Sequence, residues 1–94
     1  MKNFKTVAEI KKFNAAQGYY FFSKGAMEMF NTHVYPYIYA GRFFITSDHF
    51  SGEEKLYSVR EILETGRILR LDFERVDSLD EARRMVKLHI KDSI

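Results

Sequence analysis

Ninety-four residues, 46% hydrophobic and 30% charged, with 15 basic against 13 acidic side chains, fit one compact domain and exclude both a disordered and a membrane-spanning chain. A chain of this length buries only about 60–65% of its unfolded surface, so its core is small. Cysteine is absent, which removes disulfides, thiolate zinc sites and cysteine nucleophiles together.

The N-terminal MKNFKTVAEIKKF has lysines but no apolar run or small-residue cleavage site, so no export signal is expected and a reducing cytoplasm suits the chain. Residues 1–45 carry a net +4 and residues 46–94 a net −2. That asymmetry is too mild for either a dedicated nucleic-acid binder or an acidic DNA mimic.

Thr6-Val7-Ala8-Glu9 has the capping-box form, and Val7, Ile10 and Phe13 follow at helical spacing. These predict a first helix from about Val7 to Ala16, ended by Gly18 in the left-handed region. In GYYFFSKGAMEMFN, residues 18–31, four aromatic rings precede Ser23, the natural N-cap of a second helix from about Lys24 to Asn31. Phe22 and Met27 then occupy the two positions of a hydrophobic staple. Ala26, Met27, Met29 and Phe30 form an apolar face that is wide for so short a helix, and Lys24 and Glu28 sit four apart on the exposed side. Gly25 lies in the first turn, where the usual reason for glycine is close approach of another backbone.

From Val34 the period becomes that of strands. Pro36 lacks a ladder donor, so a first strand is expected over about Tyr37 to Ser47, with a bulge or bend near Ala40-Gly41. A tight hairpin at Ala40-Gly41 is the rival reading. DHFSGEE, residues 48–54, is a polar turn, and a second strand follows over about Lys55 to Leu63. Glu64-Thr65-Gly66 suits a hairpin loop. The third strand, about Arg67 to Val76, alternates Leu69, Leu71 and Phe73 with Arg70, Asp72 and Glu74, which implies one covered and one wet face. Ser78-Leu79-Asp80-Glu81 is a second capping box, opening a helix over about Leu79 to Lys91 whose inner stripe is Leu79, Ala82, Met85, Val86 and Ile90. The expected fold is a single α+β domain over residues 1–94: two N-terminal helices, a three-stranded antiparallel β-meander, and a C-terminal helix packed with the others on one face.

Catalytic patterns are lacking. Ser23 and Ser78 serve as caps, no Gly-x-Ser-x-Gly occurs, and the five glycines fall at turns or helix ends, with no phosphate loop. No enzymatic activity and no cofactor is expected. The one local cluster with ligand chemistry is Asp48-His49 with Glu53 and Glu54, where an imidazole and carboxylates share a turn that could hold a divalent ion. The plainer account is a solvated turn. His89 flanks the stripe of the last helix in a packing role, and His33 suits the C-terminus of the second helix. Arg83, Arg84, Lys87 and Lys91 make a basic surface on the last helix that could meet phosphate or an acidic partner. Asp80, three and four residues before the arginines, can pair with both. Six tyrosines and nine phenylalanines exceed what a small core encloses easily, and tyrosine favours interfaces. Tyr35, Tyr37 and Tyr39 are expected to stay partly exposed as partner-binding residues.

FFSKGAMEMFN (residues 21–31), GRFFITSDHF (41–50) and YSVREI (57–62) together resemble a group of short proteins of unknown function from phages, prophages and plasmids. The resemblance covers about residues 18–75 and brings no catalytic residues with it. It implies an accessory gene of a mobile element, active in the cytoplasm of a bacterial host. Small cysteine-free products of that class are often inhibitors of host defence, of anti-CRISPR or anti-restriction type, that bind a nuclease stoichiometrically. The expected partner is therefore a host protein such as a CRISPR effector, with the chain a monomer or a homodimer. The alternative is a small nucleic-acid-binding regulator using the last helix together with Lys5, Lys11 and Lys12. A third reading is a metal-binding protein built on Asp48 and His49.

Overall fold

Thr6 caps α1 (Val7–Ala16) by accepting the Glu9 backbone N–H at 3.2 Å, while the Glu9 carboxylate reaches back to the Lys5 N–H at 3.1 Å. These bonds and those below come from a computed structural model that describes residues 3–50, 53–72 and 76–92. At the other end of α1 the Gly18 N–H donates to the Ala15 carbonyl and the Tyr19 N–H to that of Asn14, with Gly18 at φ 89°. This pair of bonds is a Schellman motif, which requires the left-handed residue that glycine supplies without strain. Ser23 caps α2 (Lys24–Met29) through the Ala26 N–H. The helix stops two residues short of the expected Asn31 because Asn31 itself turns left-handed (φ 49°), with Asn31 N–H to Glu28 and Thr32 N–H to Met27. A second Schellman motif results, on the one residue besides glycine that accepts this conformation readily. Gly25 has open space where a Cβ would stand, so no backbone crosses there, contrary to the expected close approach.

The sheet has four strands where three were expected: β1 (His33–Val34), β2 (Phe43–Asp48), β3 (Leu56–Ile62) and β4 (Ile68–Arg70), antiparallel in the order β1-β2-β3-β4. The extra strand arises because the chain does not run straight through Ala40-Gly41. Ala40 (φ 51°) and Gly41 (φ 73°) are both left-handed, Tyr39 pairs with Phe43, and Val34 pairs with Thr46. The hairpin reading is therefore the right one, and two successive positive φ values match the twist of the flanking strands. The last strand is shorter than expected. After Leu71 donates to the Val59 carbonyl, the Asp72 carboxylate replaces the next backbone acceptor and takes the Val59 N–H at 3.0 Å. Asp72, assigned to a wet face by alternation, is buried for that reason. Val76 rejoins β3 opposite Tyr57, whereas Phe73 and Glu74 lie outside the described residues.

Both faces of the sheet are covered. Phe43, Ile45 and Val59 pack with Val76 and with Ala82 and Val86 of α3 (Leu79–Asp92), which Ser78 caps through the Glu81 N–H. The intervening positions, Phe44 and Ile62, form a second cluster with Phe4 and Ile10, flanked by Phe13, Phe21, Phe22 and Ile68. The expectation of helices on one face holds for α3 and fails for α1. The reason stands in β2, where Phe43 through Ser47 are buried without a break, as a strand covered on both sides must be. One backbone and one side-chain bond seat α1 and the residues that lead into it: the Phe4 N–H meets the Gly41 carbonyl at 2.7 Å, and Asn14 Nδ2 meets the Gly66 carbonyl at 2.6 Å. Among the described residues no helix is long and apolar enough to cross a membrane.

Candidate functional site

The Schellman turn after α2 projects Phe30 away from the sheet, and three further bonds fix it there. The His49 N–H donates to the Phe30 carbonyl at 3.0 Å, Asn31 Nδ2 donates to the His49 carbonyl at 3.0 Å, and Thr32 Oγ1 donates to Asp48 Oδ1 at 2.6 Å. The end of α2 is thereby strapped to the end of β2, and the rings of Phe30 and Phe50 meet with centroids 5.2 Å apart. Both rings are exposed, and Met29 beside them is 71% exposed. The arrangement is rigid, apolar and open to solvent, which is the composition of an interface core rather than of a solvated loop. Phe30, next to last in one of the segments that carry the resemblance, and Phe50, last in another, bring those segments to one spot.

Further along the same face of the sheet, Phe21 and Phe22 lie edge to face at 4.7 Å and both rings pack on Phe44. The Arg60 guanidinium sits 4.9 Å over the Phe21 ring and its Nε donates to Thr46 Oγ1 at 3.1 Å. Burial pulls the Arg60 pKa below its ordinary value, the Asp48 charge raises it, Arg70 lowers it and Asp72 raises it. Arg60 thus acts as a cationic strut between the aromatic run and β2, a structural use.

Tyr19 and Tyr20 take no part in that packing, and Tyr20 is 79% exposed. The Schellman turn after α1 folds them back beside the helix, where they, Phe22 and Ser23 form one wall of a cleft of about 390 Å³. Lys11, Lys12, Asn14 and Ala15 form the other. Lys11 Nζ stands 5.8 Å from the Phe22 ring centroid. Asn14 is buried, and its Oδ1 has no hydrogen-bond partner among the described residues.

The residues singled out from the sequence do not form one site. Of the three tyrosines, Tyr37 is exposed, while Tyr35 and Tyr39 are half-buried against the cluster under α3. The Tyr35 ring lies against His33 and Tyr57, and burial, followed by the hydrogen bond that the Tyr57 hydroxyl makes to Tyr35, pushes the Tyr57 phenol up from its ordinary value. The basic surface of α3 is partly neutralised: Arg83 pairs with Asp80 and reaches over Tyr37, and Arg84 pairs with Glu81 rather than with Asp80. Lys87 and Lys91 are exposed. His89 lines a crevice of about 210 Å³ with Arg42, Glu61 and Asp92. In the 48–54 turn Asp48 is engaged by Thr32, and His49 and Glu53 are exposed. Among the described residues no three His, Asp or Glu side chains are grouped to hold a metal ion.

The Phe30–Phe50 pair was missed because Met29 and Phe30 read as core on a helical wheel; the signal was the excess width of that apolar face for a six-residue helix. Asn14 was missed although it stands four residues after Ile10, hence on the same buried stripe. No curated protein and no solved structure matches the chain. A family model does match, over residues 6–87, a span that takes in α1, the whole sheet, both surfaces just described and most of α3. The chain therefore belongs to the family of unknown function DUF7447.

Proposed function

We propose that the chain is a non-enzymatic binding protein of a mobile element that inhibits a host defence nuclease, of CRISPR or restriction type, by occupying a protein surface in the bacterial cytoplasm. The observation that carries this reading is the exposed Phe30–Phe50 pair with Met29, held in place by backbone and side-chain bonds from two elements. Met29, at 71% exposure, forgoes most of the roughly 1.5–3 kcal/mol that full burial of such a side chain gives, and Phe30 and Phe50, at 42% and 39%, forgo a smaller part of it. A surface preorganised in this way loses little entropy when a partner covers it. The choice of a nuclease as partner rests on the resemblance carried by residues 21–31, 41–50 and 57–62.

Titration against purified host nucleases tests the proposal. Inhibition should reach completion at a fixed molar ratio, with a stable complex by size-exclusion chromatography. Replacing Phe30 and Phe50 together by serine should weaken the complex at least 100-fold while shifting the thermal midpoint by only a few degrees. Inhibition that turns over at substoichiometric dose, or no nuclease partner in the screen, overturns it.

A further inference from the structure

The unpaired groups beside α1 point to a ligand site separate from the Phe30–Phe50 surface. We propose that the cleft between α1 and the Tyr19–Ser23 turn is a nucleotide site, taking a heteroaromatic base against Tyr20 and its phosphate on the ammonium groups of Lys11 and Lys12.

Two independent features of the cleft agree on that chemistry. Its charged lining is of one sign: Lys11 and Lys12 are the ionisable groups on the α1 wall, and among the described residues neither has a carboxylate at ion-pair distance. An anion entering the cleft meets two cations without displacing a protein counter-charge, a condition that favours phosphate. The opposite wall is aromatic. Tyr20 presents its ring to solvent at 79% exposure and Tyr19 at 39%, a surface on which any base can stack. Asn14 also borders the cleft, with its Nδ2 committed to the Gly66 carbonyl at 2.6 Å and its Oδ1 closed off from solvent.

The volume, about 390 Å³, lies at the lower end of the roughly 300–1,000 Å³ typical of small-molecule sites. One nucleotide unit is the natural occupant. A purely acidic peptide would use the lysines and leave the exposed rings unexplained. The base and phosphate can come from a free mononucleotide or from one unit of a single strand, and the walls suit both.

The test is titration of the full chain, followed by backbone amide NMR, with adenosine monophosphate, a ten-nucleotide single-stranded DNA, a ten-base-pair duplex and a decaglutamate peptide. Shifts confined to residues 11–23 are expected with the mononucleotide, the single strand or both, and these two arms identify the source. Tyr20→Ala should weaken binding about tenfold, the order expected for one lost stacking contact, and Tyr20→Phe should restore it. Lys11→Gln with Lys12→Gln should weaken it further and reduce the salt slope of the single-strand affinity by about one to two. All four side-chain changes leave the thermal midpoint in place because they alter solvent-facing groups. The proposal is overturned by silence at residues 11–23 with millimolar mononucleotide and single strand, by equal affinity for decaglutamate, or by Tyr20→Ala binding as well as the parent chain. None of these results bears on nuclease inhibition, which depends on Phe30 and Phe50.

Discussion

Gly18 and Gly66 have the same backbone conformation, at φ 89° and 90°, in opposite surroundings. A Cβ at Gly18 would meet nothing within 4 Å, whereas one at Gly66 would stand 2.6 Å from Gln17 Cγ and 2.7 Å from Gln17 Cβ. Gly18→Ala therefore meets only the left-handed backbone penalty, about 1–2 kcal/mol. Gly66→Ala meets that penalty and a steric one. Gln17 Cβ is fixed to the end of α1, so the helix must move off the β3–β4 turn, at about 1–3 kcal/mol for overpacking. The same movement stretches the Asn14–Gly66 bond, worth about 0.5–1.5 kcal/mol. We expect a loss of about 3–5 kcal/mol for Gly66→Ala against about 1–2 for Gly18→Ala. Chains of this size have on the order of 5–14 kcal/mol in total, so urea unfolding at 15 °C should measure both. Gln17→Gly in the Gly66→Ala background should recover most of the difference. Equal losses for the two alanine variants would refute the docking of α1 on that turn, and with it the two-sided core.

Three other expectations follow from single residues. Ala40 occupies the left-handed region at φ 51°, so Ala40→Gly should raise stability by about 1 kcal/mol, read from the urea midpoint; a loss would mean that the Ala40-Gly41 turn is built differently. Asn31→Ala should cost about 1–2 kcal/mol through the turn and the bond to His49, and Asn31→Gly about half that, since glycine keeps the left-handed turn; thermal unfolding ranks them, and the reverse order would count against the Schellman assignment. The Tyr57 phenol is raised in the folded chain, so its contribution is fully present below the unfolded value of about 10 and is lost as pH rises through the folded value. Stability measured from pH 8 to 11 should fall on that account, and Tyr57→Phe should flatten the alkaline limb; an unchanged limb would remove Tyr57 as its source.

Helix boundaries were legible wherever a cap is written in side chains. Thr6 with Glu9, and Ser78 with Glu81, fixed the starts of α1 and α3 because the bonding groups lie three residues apart in the chain itself. The end of α2 was harder, because Asn31 fits a helix by propensity and leaves it through a backbone conformation that Asn only tolerates. The two-sided core was written in Phe43-Phe44-Ile45-Thr46-Ser47, which does not alternate. The clean alternation of residues 69–74 drew the reading the other way, although the edge strand β4 takes in only Leu69 and Arg70 of the described ones. The pairing of Phe30 with Phe50 depends on a return across the β1–β2 hairpin, and no local pattern encodes two rings twenty residues apart. The cleft beside α1 was half legible: its lysines and tyrosines stand out by type, but that the chain folds back after Gly18 to set them on facing walls shows only in the structure.

The outermost strands of the sheet bear on how this chain meets other molecules. β1 has two residues followed closely by Pro36, and β4 has three before Asp72 turns its carboxylate into the ladder. Borders this short offer an incoming strand few consecutive donors and acceptors. Growth by sheet continuation, whether into fibrils, swapped dimers or a captured peptide, is discouraged at both sides. A molecule closed along its margins must be recognised through what projects from its faces and helix ends, and those are the places where its uncovered rings stand.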